Sequence, residues 1–176
     1  MENKSYKEYL EQINTLIFDI DGVLTDGTIT VTTSGEMLRT MNIKDGYALK
    51  TAVDKGFNVC VISGGTNEGV RHRLEGLGIK DIFLGAHNKI EQLNLFLERH
   101  QIDLKKVLFM GDDLPDYPVM TLVGLPCCPQ DAVPEIKAIS KYISHKNGGN
   151  GAVRDVIEQV LKVQGKWFDN FNAKYD

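Results

Sequence analysis

The sequence predicts an α/β protein: a Rossmann-like, three-layer parallel sheet with an inserted β-hairpin flap and no separate cap domain. Three observations predict it. Short apolar runs alternate with longer amphipathic runs, as strands alternate with helices in βαβ units. The residues suited to chemistry stand directly after the apolar runs. One β-rich segment interrupts the alternation near the start. With 176 residues the chain fits a single domain spanning 1–176, long enough to bury a hydrophobic core.

The elements follow in order. Thr15-Leu16-Ile17-Phe18 is a short apolar run and reads as a buried strand. A hairpin flap is expected over about 28–41: Thr28 to Thr32 and Met37 to Met41 are β-rich, and Thr33-Ser34-Gly35-Glu36 is a turn signal. Tyr47 to Lys55 reads as a helix, Asn58 to Ile62 as a strand, and Glu68 to Leu77 as a helix stopped by Gly78. A weaker strand at Asp81 to Leu84 precedes a helix from Lys89 to His100, with Ile90, Leu93 and Leu97 on one side. Val107 to Met110 is the next strand and Val153 to Val163 a late helix, before a tail at about 165–176. Parallel strands joined by helices place sites at the C-terminal edge of the sheet, where the hairpin would project.

Composition excludes several classes. The net charge of -4, with Lys and Arg scattered, argues against a nucleic-acid surface. No apolar run reaches the roughly 20 residues needed to span a bilayer, so no membrane partner is expected. The charged start (Glu2, Lys4, Lys7, Glu8) lacks the apolar core of a signal peptide, and a cytoplasmic protein is expected. Cys60, Cys127 and Cys128 lack the spacing of a zinc site and read as reduced core residues. The four histidines have no metal-pair spacing.

The chemistry concentrates at strand ends. Asp19-Ile20-Asp21-Gly22 closes the first strand, Ser63-Gly64-Gly65 the second, and Gly111-Asp112-Asp113 the fourth, while Lys89 opens a helix after the third. Carboxylates gathered at one place repel unless a cation neutralises them, and a hard ion such as Mg²⁺ suits oxygen ligands and phosphate. Glycines let backbone N–H groups approach an anion, Ser63 donates a hydrogen bond, and Lys89 adds positive charge. A carboxylate aimed at phosphorus can act as nucleophile, and a second one two residues on can move protons. A receiver-like phospho-aspartate signalling domain shares several of these parts. Two features argue against it: Asp21, which can activate water, and the end of the first strand as the place of the reactive aspartate.

Asp19 to Gly27, Ser63, Lys89 and Gly111-Asp112-Asp113 resemble, in order, the four motifs of the haloacid dehalogenase-like phosphatases. The hairpin, Asn42-Ile43-Lys44-Asp45-Gly46-Tyr47, Gly111 to Met120 and Gly148 to Asp155 resemble the branch acting on 3-deoxy-D-manno-octulosonate (KDO) 8-phosphate. The resemblance implies a Mg²⁺-dependent hydrolysis of that sugar-acid phosphate through phosphorylated Asp19, a step toward lipopolysaccharide. A nine-carbon keto-deoxy sugar-acid 9-phosphate is the alternative substrate. It implies Asp19 as nucleophile, Asp21 as general acid/base, Asp19, Asp21 (by its carbonyl) and Asp112 as metal ligands, and Ser63 and Lys89 on the phosphoryl group. Asp113 and Asp116 would orient the ligands. Asn42, Lys44, Asp45, Gly46, Lys50, Gly64 and Arg73 would line the sugar-acid site. It also implies a homotetramer associated through the hairpins, with the tail around Lys166 and Trp167 near a neighbour's site. Three positions depart from the pattern: Gly65 and Asn150 stand where arginine is common, and Lys50 replaces an arginine. At Gly65 one contact to the acid end of the substrate is either missing or supplied by Arg71 or Arg73.

Overall fold

In the central strands nearly every side chain is buried, so successive residues feed two cores on opposite faces of one sheet. This arrangement is seen in a computed structural model, which describes residues 5–167. Strand β1 (Thr15–Phe18) lies in the middle. On one side follow β4 (Asn58–Ile62) and β5 (Asp81–Phe83); on the other follow β6 (Val107–Met110), β7 (Leu125–Cys128) and β8 (Tyr142–Ile143). All neighbours in this sheet are parallel. Leu16, Phe18, Val59, Val61, Leu108 and Met110 pack under α1 (Tyr6–Leu10), α2 (Ile43–Asp54), α3 (Glu68–Gly76) and α7 (Ala152–Val163). Ile17, Cys60, Ile62 and Phe109 pack under α4 (Lys89–His100), α5 (Tyr117–Met120) and α6 (Pro134–Ile139). The expected three layers are therefore present. All three cysteines are free and buried.

The hairpin is shorter than expected. Only β2 (Thr30–Val31) and β3 (Met37–Leu38) pair, in antiparallel register. Its flanks are held elsewhere: Thr28 is bonded through its N–H and hydroxyl to Asp26, and Arg39 turns toward Asp21. Helix α2 starts at Ile43, not Tyr47, because Asn42 caps it by accepting the Lys44 N–H at 2.8 Å. Lys166 and Trp167 lie on their own chain: Lys166 stands over the Phe57 ring, and Trp167 packs edge-on to Tyr47 and beneath the Arg154 guanidinium. The tail expected beyond Trp167 lies outside the described residues.

Asp45 ties α2 to α7. It is buried, and its Oδ1 accepts the Arg154 N–H at 2.7 Å in the first turn of α7, while its Oδ2 is buried with no hydrogen bond among the described residues. Burial pushes its carboxyl up to about 6, against the pull of the Arg154 and Gly151 N–H groups. A carboxyl raised on folding favours the fold fully below about pH 4, and that contribution is lost as pH rises through 6. Asp45→Asn keeps an acceptor and removes the charge. In denaturant titrations, its stability relative to the natural chain is therefore expected to rise between pH 4 and 7; a pH-independent difference would contradict this account.

Candidate active site

The register of the sheet builds the site. Phe18 pairs with both Val61 and Met110, so the segments after β1, β4 and β6 emerge together at one edge. Asp19 follows β1 and is anchored there by its N–H on the Met110 carbonyl, 3.1 Å away. The chain then turns tightly: the N–H groups of Val23, Leu24 and Thr25 all donate to the Ile20 carbonyl. The Thr25 hydroxyl accepts from the N–H groups of Gly22 and Gly27. Gly22 has a φ of +85°, and a Cβ there would lie 2.0 Å from Asp112 Oδ2. From the far end of the sequence, Gly149 donates to the Val23 carbonyl, and a Cβ on Gly148 would collide with the Gly22 carbonyl.

Lys89, at the start of α4, is only 6% exposed. Its Nζ lies 2.9 Å from Asp19 Oδ2 and 2.6 Å from Asp116 Oδ1. Burial pulls its pKa down, but the carboxylates of Asp19 and Asp116 more than offset this and hold it above the usual lysine range. Asp116 also accepts the Asp112 N–H through Oδ2, at 3.1 Å. Asp19, Asp112 and Asp116 each offer an oxygen within 4.8 Å of the others. Asp112 is pushed up to about 7, first by burial and then by the charges of Asp116, Asp19 and Asp113. Its Oδ1 is buried without a hydrogen-bond partner among the described residues. Ser63, also buried, sits after β4 with its Oγ 3.4 Å from the Gly65 N.

The structure therefore brings Asp19, Lys89, Asp112 and Asp116 together, and the sheet register sets Ser63 at the same edge. Asp113 instead faces solvent and folds back onto the Leu114 N–H. The Asp21 carboxylate is held by Arg39: Nε donates at 2.7 Å and Nη2 at 3.0 Å. The sugar-acid positions do not form one surface within a single chain. Gly64 lines a cleft of about 600 Å³ between the hairpin and the segment after β4. Arg73 borders the adjoining hollow beside Leu38 and Met41. Asn42 and Lys44 line a different cavity, with Lys146 and Arg154, and the Asn42 amide is spent on capping α2 and on the Gly149 carbonyl. Asp45 is buried and caps the start of α7. Gly46 leaves room for the Arg73 guanidinium, which a Cβ would approach to 2.7 Å. Lys50 is paired with Asp54. Arg39 is the residue that sequence reasoning missed, since a single arginine in a hairpin strand carries no local signal.

Residues 78–157 match the family of haloacid dehalogenase-like hydrolases. The chain is 40% identical over 156 residues to the KDO 8-phosphate phosphatase KdsC of Salmonella typhi, covering 89% of this chain and 83% of that protein. It belongs to the KdsC family of haloacid dehalogenase-like hydrolases. A crystal structure of the Yersinia pestis KDO 8-phosphate phosphatase superposes with a TM-score of 0.91 at 33% identity, covering 93% of this chain and 89% of that one. The Moraxella catarrhalis phosphatase, solved with magnesium, phosphate and KDO, superposes with a TM-score of 0.89 at 31% identity, covering 92% and 93%.

The acidic cluster fits a magnesium ion on the chemistry of its donors. Hard oxygen ligands converge, and Asp112 presents a buried oxygen that no group among the described residues satisfies. Gly22→Ala is expected to strain the turn and displace Asp112, costing about 1–3 kcal/mol of stability. Thermal unfolding with and without Mg²⁺ checks this: the ion is expected to raise the midpoint of the natural chain and to do so much less for Gly22→Ala and Asp112→Asn. Equal shifts in all three would place the ion elsewhere.

Proposed function

We propose that this chain hydrolyses KDO 8-phosphate to KDO and phosphate, with Mg²⁺, in the cytoplasmic synthesis of lipopolysaccharide precursor. The observation that carries the reading is Asp19 held by Lys89 beside the orphaned oxygen of Asp112, in a chain 40% identical to a KDO 8-phosphate phosphatase. Asp19 attacks phosphorus, and the P–O bond to the sugar's terminal carbon breaks. Asp21 supplies the proton to the departing oxygen. In the second step it accepts a proton from water as water attacks the phosphorylated Asp19, which returns Asp19 and releases phosphate. Lys89 and Ser63 hold the phosphoryl oxygens, and Asp116 keeps Lys89 in place. Bound by Asp19, Asp112 and the Asp21 carbonyl, Mg²⁺ supplies charge for the phosphoryl group.

The hairpin supports a homotetramer. Ile29, Val31, Met37 and Leu38 are each about half exposed or more, on strands too short to stand alone. Association through them explains why the sugar-acid positions are dispersed in one chain, since a neighbour's residues would complete each site. Leu38→Asp is expected to lower the native mass in light scattering; an unchanged mass would remove the hairpin from the interface.

Phosphate release across a panel of sugar phosphates tests the substrate. KDO 8-phosphate is expected to exceed hexose phosphates and the nine-carbon sugar-acid 9-phosphate in kcat/KM, with activity lost to a chelator and restored by Mg²⁺. Asp19→Asn is expected to lose on the order of 10³-fold or more. Turnover of KDO 8-phosphate no better than that of hexose phosphates defeats the assignment, and an active Asp19→Asn defeats the covalent route.

A further inference from the structure

We infer that Arg39 is a specificity-determining residue: its guanidinium, parked on Asp21 in the free chain, transfers to the carboxylate of the substrate and thereby releases Asp21. The inference rests on the proposed function only in requiring a substrate that carries both a phosphate and a carboxylate.

Arg39 is anomalous on its element. The hairpin around it is exposed, yet its side chain is only 8% exposed. It forms a two-pronged pair with both Asp21 oxygens, the geometry that guanidinium gives to any carboxylate. Its remaining terminal nitrogen, Nη1, donates to the Met37 carbonyl and fixes the arm. The pair stands against Gly65: a Cβ there would lie 3.3 Å from Arg39 Nη2 and 3.4 Å from Asp21 Oδ2. Arg39 thus enters the space beside Gly65 from the opposite wall of the cleft. The other arginines considered for this task are not placed for it. Arg71 is committed to Glu68 and the Ile82 carbonyl, and Arg73 lies over Gly46.

Arg39 also lines the cleft of about 600 Å³ beside Gly64 and Gly65, a size suited to a sugar acid. While Arg39 holds both Asp21 oxygens, Asp21 is not free to meet the leaving oxygen. A substrate with its own carboxylate offers Arg39 an equivalent partner, so the exchange costs little and frees Asp21. A phosphate ester without a carboxylate gives no such exchange.

The test compares kcat/KM for KDO 8-phosphate and for p-nitrophenyl phosphate in the natural chain, Arg39→Ala, Arg39→Lys and Arg39→Ala/Gly65→Arg, each checked for folding by thermal unfolding. Arg39→Ala is expected to lose on the order of 10- to 100-fold more on the sugar-acid phosphate than on the plain ester. Arg39→Lys is expected to recover part of that difference, and so is the double variant, whose new guanidinium grows from the Gly65 wall. Equal losses on both substrates, no loss on either, or a double variant no better than Arg39→Ala overturns the inference. If the natural chain prefers another keto-acid phosphate, the same ratio is read with that substrate, so the substrate assignment and the role of Arg39 fail separately.

Discussion

The site depends on one buried ammonium among carboxylates. Lys89 bridges Asp19 and Asp116, and Asp112 stands within reach of both acids. One positive charge against three negative ones leaves the cluster under-neutralised in a region with little water to screen it. Burial first, and then this imbalance of charge, push the Asp112 and Asp116 carboxyls up. An arrangement of this kind costs stability when empty and recovers it when a divalent ion arrives. The surrounding scaffold is correspondingly rigid. Three N–H groups converge on the Ile20 carbonyl, Asp116 is tied to the Asp112 backbone, and Gly22 leaves only enough space for the Asp112 side chain.

The legible part of the sequence was the part governed by burial. Strands β1, β4 and β6 are unbroken apolar runs, and the residues that follow them had to meet once the strands paired in parallel. Helix α4 was equally plain, because its apolar side repeats at helical spacing. Strand β7 was missed because Pro126, which lacks an N–H for the ladder, argues against an interior strand, although β7 lies between β6 and β8. Helix α6 and strand β8 are too short for any period to show. The start of α2 was displaced by Gly46, which reads as a break until the space taken by Arg73 is known.

In the site itself, residues placed by their own strand ends meet as the register requires. Contacts between distant segments could not be read in the same way. Resemblance alone assigns Asp45 to the sugar-acid site, and α7 buries it. Arg39 gave no signal because its partner lies 18 positions earlier and its space is created by a missing side chain at Gly65. Both cases concern shape at a contact between segments, which no local pattern encodes.

The Gly148-Gly149 segment has a consequence for how the chain is made. It presses its backbone against the turn that follows Asp19, and Gly149 holds the Val23 carbonyl. This buttress leaves the ribosome more than a hundred residues after that turn. Asp19 can therefore be seated only after that distant segment has been made. A nascent polypeptide carries Asp19 through more than a hundred residues of elongation without the clamp that orients it.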